Sequence, residues 1–352
     1  MNWVGPIRAC LGVAIIAAAV AFPAIESSAR SKKPPPEVIV PPPPPPPGPV
    51  VLPDRLLADA AAYEAYLLRA SSISPGFQNG ASVAQALSVG VAYEPKSLIR
   101  GAVTYGAVAA LQAPAFVADL RAAGATPEAR RQMVNDLIGN AAYVFVFKGS
   151  DTAAGLAEQA LGAPALHLYA AGKAVKQSAY DVQHQAWSRD EIVDRTGRLA
   201  AAKALSARPS DPAMEQVAVL RQAASGAAPM AISSGPAPPP YTPLVARALQ
   251  LAAVAAIGEA GDDAYDRLTY LTDENNTEAC LSMAKLNLFQ CLAVSKPHYE
   301  DIFCVGQHIM QDTGACLAKN AGVAMPMEAP PLAATPAPPV RATTHPSVRR
   351  RG

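Results

Sequence analysis

The four cysteines of residues 280–316 constrain the fold of this chain more than any other feature. Cys280 and Cys291 lie on one predicted helix, Cys304 and Cys316 lie on the next, and Pro297 separates the two. Apolar residues recur with a helical period on both sides of this proline, which ends one helix and can begin another. Cys280 and Cys291 are 11 residues apart, or roughly 16 Å along a helix, beyond the about 7 Å that a disulfide spans between Cα atoms. Any disulfide bond must therefore join the two helices.

The spacing of the cysteines predicts which of them are bonded. Opposed residues of an antiparallel hairpin share a midpoint, and the nested pairs Cys280–Cys316 and Cys291–Cys304 both centre on the proline turn. We therefore predict the nested bonds, with the crossed arrangement as the alternative. The 12 residues from Cys304 to Cys316 turn about 120° out of phase on an unbroken helix. We expect Gly314 to loosen the end of the second helix and so allow the outer bond to form.

Zinc binding is a second interpretation of the same cysteines, and free thiols are a third. Thiolates together with His298 or His308 are suitable zinc ligands, and Cys304 and His308 share a helix face. Zinc sites usually hold two ligands close together in a C-x-x-C type of knuckle, which this sequence does not contain. We therefore predict disulfides and no metal site. The layout resembles the twin-cysteine hairpins of the coiled-coil-helix family, a likeness of geometry that implies no activity.

The ends of the chain predict export and proline-rich segments. Residues 1–29 have the order of a secretory signal, in which an apolar run over 9–22 is followed by a proline and small residues. This run is shorter than the about 20 residues that span a bilayer, so we predict cleavage, with an uncleaved anchor as the alternative. Residues 30–50 form a proline-rich spacer, and residues 323–352 form a disordered tail that ends in arginines.

Between these ends, the sequence predicts an all-α fold. Residues 51–225 are rich in alanine and form a multi-helix domain, residues 226–243 are a proline-rich linker, and residues 244–322 are a helical module with the four-cysteine hairpin. Proline often occupies the first position of a helix, and we place one such start at Pro164. Small residues in one helix predict close contacts with its neighbours; they are Gly101, Ala102, Gly106, Ala107 and Ala110.

The densest group of polar side chains lies on the predicted helix over residues 164–187. Six side chains share overlapping stripes at i, i+3 and i+4 spacing. They are Lys173, Gln177, Tyr180, Asp181, His184 and Trp187. Such a helix either buries these groups in a hydrogen-bond network or displays them as a binding face. Asp181 and His184 are also the candidates for a catalytic acid–base pair, but no nucleophile motif accompanies them, so an enzyme is the less favoured interpretation.

Charge and motif content exclude several functional classes. The net charge is +1 and only 16% of the residues are charged, which is not the electrostatic pattern of a nucleic-acid-binding protein. The sequence contains no P-loop, no dinucleotide-binding fingerprint and no zinc-protease motif. We therefore predict no cofactor and no nucleic-acid partner.

A family resemblance supports the export prediction. The segments YDVQHQAW (180–187) and ALQAPAFV (110–117) and the cysteine hairpin resemble secreted, alanine-rich proteins of unknown function from α-proteobacteria. The resemblance implies a Gram-negative periplasm and no activity. We predict a periplasmic or secreted structural or interaction protein of the cell envelope, with envelope proteins or peptidoglycan as partners and no transmembrane span after signal cleavage. The alternatives are a periplasmic enzyme and a protein that binds a small ligand or peptidoglycan along residues 173–187.

Overall fold

The computed structural model describes residues 46–326, and within this range the fold is all-α, as predicted. The signal segment, most of the spacer and the tail beyond residue 326 lie outside the described residues and stay predictions. The helices of the described range are α1 (Asp54–Ser71), α2 (Gly80–Val91), α3 (Pro95–Ala110), α4 (Pro114–Ala123), α5 (Pro127–Gly139), α6 (Ser150–Val182), α7 (Ala186–Arg189), α8 (Arg195–Ser206), α9 (Met214–Ala224), α10 (Pro243–Ala256), α11 (Tyr265–Thr272), α12 (Asn275–Val294), α13 (His298–Cys304) and α14 (Asp312–Asn320). Two 3₁₀ segments (Ala141–Val146 and Asp262–Ala264) and a π-helical segment (Val305–Gln311) complete the helical structure of this range.

Helix α3 lies at the centre of the fold because its small residues let neighbouring helices approach closely. It packs against α1, α6 and α10, and every residue from Gly101 to Ala110 is buried. A side chain at Gly101 would collide with the backbone carbonyl of Asp59 on α1, and a Cβ atom at Gly106 would lie 3.0 Å from the Ala248 methyl on α10. The close helix contacts predicted from these small residues are confirmed.

Helix α6 runs without a break for 33 residues. The prediction that a new helix begins at Pro164 is wrong, because this proline lies inside α6. A proline removes one helical hydrogen bond and clashes with the carbonyl four residues earlier, which costs about 3 kcal/mol. Packing on both sides of the proline offsets this cost: Leu161 lies against Gly106 of α3, and Ala165 lies against Gly314 of α14.

Two disulfide bonds join the C-terminal hairpin in the nested pairing that the sequence predicts. The bonds are Cys280–Cys316 and Cys291–Cys304, and the Cα atoms of each pair are 5.8 Å apart. The first ties the start of α12 to α14, and the second ties the end of α12 to α13. Since both bonds together occupy all four thiols, the thiolates that the zinc interpretation requires are not present.

A π-helical segment brings Cys316 into register with its partner. Gly314 lies inside α14, so the prediction that it loosens the helix end is wrong. In the π-helical segment Val305–Gln311, hydrogen bonds run from residue i to i+5 and accommodate one extra residue. One residue corresponds to about 100° of helical rotation, which removes most of the mismatch of about 120° expected of an unbroken α-helix. The outer disulfide bond therefore forms without ending the second helix of the hairpin.

Glycines place this second part of the hairpin directly against α6. A Cβ atom at Gly306 would collide with the backbone nitrogen of Lys176, and one at Gly314 would lie 2.7 Å from the backbone nitrogen of Tyr169. Any larger residue at either position would force the two helices apart. The hairpin is thereby seated on the helix that carries most of the predicted polar face.

The predicted linker and C-terminal module share one core with the predicted main domain. All of the described residues fall within one compact unit. In the linker, the N–H of Ala237 donates to the carbonyl of Asp151 on α6 at 3.0 Å, and the rings of Tyr241 and Phe145 lie 4.7 Å apart. Helix α10, the first of the module, packs against α3 and α6. Residues 226–243 therefore pack onto the helical body.

No single helix within residues 46–326 is both long enough and apolar enough to cross a bilayer. Helices α3 and α4 meet the requirements only when they are taken together, and the chain bends by 92° between them.

Candidate functional site

The predicted polar face lies at the carboxyl end of α6. Gln177, Tyr180 and Asp181 are exposed, and Lys173 is half-buried. The Lys173 ammonium lies 5.0 Å from the centroid of the Tyr169 ring, and the Gln177 amide donates to the Asp181 carboxylate at 3.0 Å. The helix therefore displays most of these groups toward solvent, and they do not form a buried network.

The remaining two predicted residues lie beyond the end of α6. His184 is exposed in the turn that follows the helix, and the indole N–H of Trp187 in α7 donates to Gln185 at 2.6 Å. Within residues 46–326, no hydrogen bond or ion pair joins His184 to Asp181, whose carboxylate accepts from Gln177. A catalytic histidine needs a group that orients its ring. This arrangement provides no orienting carboxylate for His184.

A groove opens beside the polar face, and its lining residues come from the end of α6, the end of α12 and α13. Its volume is about 380 Å³. Of the six predicted binding residues, Tyr180 lines this groove. We call it the aromatic groove, and its principal side chains are Tyr180, Gln183, Val294, Tyr299, Glu300 and Phe303.

Exposed apolar and aromatic side chains form the wall of the aromatic groove. The rings of Tyr180 and Phe303 meet edge to face, with centroids 6.3 Å apart and planes at 81°. The ammonium of Lys176, which also lies on α6, is 5.3 Å from the centroid of the Phe303 ring. Tyr180 is 48% exposed and Val294 is 73% exposed. The groove thus keeps large apolar surfaces in contact with water, which is typical of a binding surface.

The floor of the groove is held by the inner disulfide bond and a buried ion pair. Cys291 and Cys304 tie α12 to α13. Next to them, the Arg198 guanidinium lies 2.5 Å from the Asp301 carboxylate, and the two side chains are 10% and 4% exposed. The Ser295 hydroxyl donates to the same carboxylate at 2.6 Å. Burial raises the pKa of Asp301, while the hydrogen bond from Ser295 and the charge of Arg198 oppose that rise.

Replacement of Arg198 by alanine is expected to destabilise the fold strongly. The change leaves the Asp301 carboxylate buried without its cation, which lowers the free energy of unfolding by about 3–5 kcal/mol. Arg195→Ala is the matched control, because Arg195 donates to the carbonyls of Ala293 and Ser295 at 2.8 Å and its loss removes hydrogen bonds worth about 1 kcal/mol each. Urea unfolding measures both variants. A loss for Arg198→Ala no greater than that of the control would contradict the importance of the ion pair.

The sequence prediction missed the groove residues of α12 and α13. Tyr299 and Phe303 are four residues apart, the spacing that places two side chains on one face of a helix. This spacing shows only that the two rings share a face of the helix, and nothing local indicates that they face Tyr180. The groove forms only because the hairpin packs on α6.

No family model matches this chain, and no curated protein and no solved structure matches it. Its function must therefore be inferred from the geometry of the site.

Proposed function

We propose that the protein is an exported, non-catalytic interaction protein of the cell envelope, whose aromatic groove binds an extended proline-rich segment that carries a basic residue. The observation that supports this proposal is the composition of the groove, in which Tyr180, Tyr299 and Phe303 surround an open volume. Proline-rich segments favour the polyproline II conformation, and they dock onto aromatic grooves because little conformational entropy is lost on binding.

Glu300 favours a ligand with a basic side chain. Its carboxylate lines the groove and accepts from the backbone N–H of Lys296 at 2.8 Å, which holds the side chain in place. An arginine can bond a carboxylate through two parallel hydrogen bonds and can also stack on aromatic rings. The expected ligand is therefore a proline-rich segment that carries an arginine.

The tail of this chain contains a segment of that chemistry. Residues 336–341 read Pro-Ala-Pro-Pro-Val-Arg. Val323, near the end of the described range, contacts Gly162 in the first half of α6, and Tyr180 lies about 27 Å further along the helix. Ten residues, the length of chain between 326 and 336, can span up to about 33 Å when a chain is extended. The tail is long enough to reach the groove of its own chain and to compete there with partner segments.

A labelled peptide of residues 333–343 is expected to bind a full-length chain in which Pro336→Ala and Pro339→Ala disable the chain's own copy of the motif. The peptide itself keeps the unaltered sequence. Fluorescence anisotropy measures the affinity. Tyr180→Ala should weaken binding at least about tenfold, since aromatic anchors supply much of the binding energy of an interface. Tyr270→Ala is the matched control and should leave the affinity unchanged, because Tyr270 is 57% exposed, like Tyr180 at 48%, and lies on α11.

A double-mutant cycle tests the role of Glu300. Glu300→Gln should weaken binding of the peptide with Arg341, and it should have no effect on a peptide in which Arg341 is replaced by glutamine. The unmodified chain should bind the labelled peptide more weakly than the chain with the disabled motif, because its tail competes. Equal affinity of the labelled peptide for the chain with Tyr180 and for its Tyr180→Ala variant would contradict the proposal. Binding of peptidoglycan fragments in place of the peptide would favour the small-ligand alternative.

The disulfide bonds support the export part of the proposal. Intramolecular disulfides persist in oxidising compartments such as the bacterial periplasm and are rare in the cytosol. Cell fractionation followed by amino-terminal sequencing is expected to find the chain in the envelope, beginning near Arg30. A cytosolic chain that begins at Met1 and carries free thiols would contradict export.

A further inference from the structure

A second cavity, separate from the aromatic groove, lies between α1, α3 and α6. Its volume is about 210 Å³. Pro164 and His167 line it on α6, and His167 is about 20 Å along that helix from Tyr180. Leu67 and Leu68 of α1 supply an apolar wall. The cavity is therefore a distinct site at the other half of the same helix.

Three polar side chains line this cavity, and two of them have a buried oxygen without a hydrogen-bond partner among residues 46–326. The Tyr105 hydroxyl donates to Glu64 Oε1 at 3.3 Å, and the rings of Tyr63 and Tyr105 lie 5.7 Å apart. Tyr63 is only 1% exposed. Its hydroxyl and Glu64 Oε2 are buried and have no hydrogen-bond partner among residues 46–326. Buried polar atoms in native proteins nearly always have a partner, either in the protein or in a bound water or ligand, so these two oxygens are available to bind such a molecule.

The chemistry of these groups favours a cation over an anion. Burial raises the pKa of Glu64, and the hydrogen bonds of its carboxyl with the side chains of Tyr105 and Gln216 oppose that rise. A positive charge beside a buried carboxylate compensates for its loss of hydration. The two tyrosine rings add faces that attract cations. A ligand that donates hydrogen bonds and carries a positive charge would satisfy all of these groups together.

We propose that this cavity binds a short alkylammonium ion. An ammonium group has three N–H donors, which match the oxygen atoms of Tyr63, Glu64 and Tyr105. The alkyl chain would lie against Leu67 and Pro164, which are apolar lining residues. Sites for drug-sized ligands have volumes of about 300–1,000 Å³, so a cavity of about 210 Å³ accepts only a short chain.

Calorimetric titration of the full-length, disulfide-bonded protein tests this inference. The probe is n-butylammonium, and 1-butanol is the neutral probe of matched size. We expect butylammonium to bind at least about ten times more tightly than butanol, and Glu64→Gln to weaken it at least about tenfold. Tyr63→Phe should also weaken binding without loss of stability, because it removes a buried hydroxyl that has no partner. Glu158→Gln is the control and should bind normally, since Glu158 is another carboxyl with a pKa raised by burial and lies outside the cavity.

Two results would overturn the inference. The first is equal affinity for butylammonium and butanol, or for the protein and its Glu64→Gln variant. The second is the absence of binding up to about 10 mM butylammonium, which would assign the two oxygens to bound water only. Neither result bears on the aromatic groove, because the peptide affinity is measured independently.

Discussion

Removal of the outer disulfide bond is expected to lower the free energy of unfolding by about 4 kcal/mol, and removal of the inner bond by about 3 kcal/mol. The bond Cys280–Cys316 closes a separation of 36 residues, and Cys291–Cys304 closes one of 13 residues. In the chain-entropy account, the larger loop restricts the unfolded chain more, so its loss costs more stability. Serine at both positions of one pair removes that bond without leaving a free thiol. Urea unfolding of the two double variants measures the difference.

The inner bond is expected to control the aromatic groove even though it contributes less to stability. Cys291 lines the groove, and Cys304 follows Phe303 directly in the sequence. Loss of this bond frees the end of α12 from α13 and should weaken peptide binding more than loss of Cys280–Cys316 does. The outer-bond variant serves as the control for general destabilisation. If peptide affinity simply followed global stability, the role of the inner bond in the groove would be contradicted.

Stability is expected to rise by about 2 kcal/mol between about pH 7 and about pH 9 because of Lys285. This side chain of α12 is buried. Its ammonium donates to the carbonyls of Val91 at 3.1 Å and Ser206 at 3.3 Å, and it lies 3.8 Å from the centroid of the Tyr93 ring. Burial lowers the pKa of Lys285 from 10.5 to about 7, and the charge of Glu94 opposes that shift.

The direction of this pH dependence follows from proton binding. Below about pH 7, Lys285 is charged in both states, and the folded state bears the full cost of burying the charge. Above its folded pKa of about 7, the folded chain releases this proton while the unfolded lysine keeps it up to 10.5. The unfolded state then binds more protons, so the free energy of unfolding increases with pH, and the slope approaches about 1.4 kcal/mol for each pH unit above the folded pKa.

Denaturant unfolding at several pH values measures this rise. Lys285→Met should remove most of the slope between about pH 7 and about pH 9. The range stops there because burial raises the pKa of the Tyr66 and Tyr93 hydroxyls in the folded state. At higher pH these tyrosines ionise first in the unfolded chain, which reduces stability. An unchanged slope in the methionine variant would assign the effect to other groups.

The features predicted from the sequence alone are those that depend on local geometry. Helical period and proline position predict the two helices of the hairpin. Distances within one hairpin follow from the helix rise, so the nested bonds Cys280–Cys316 and Cys291–Cys304 are predictable from spacing. Gly101 and Gly106 likewise indicate close helix contacts, because a position without a large side chain permits approach whichever helix provides it.

Only the tertiary structure decides the features in which packing outweighs a local preference or joins distant segments. Helix α6 continues through Pro164 because contacts on both sides offset the local cost. The π-helical segment Val305–Gln311 arises where the second half of the hairpin must both reach its disulfide partner and lie on α6. Apolar period tells which face of a helix is buried, but not which helix covers it. The meeting of Tyr180 with Phe303, and of Glu64 with Tyr105, is therefore determined by the long-range packing of whole helices.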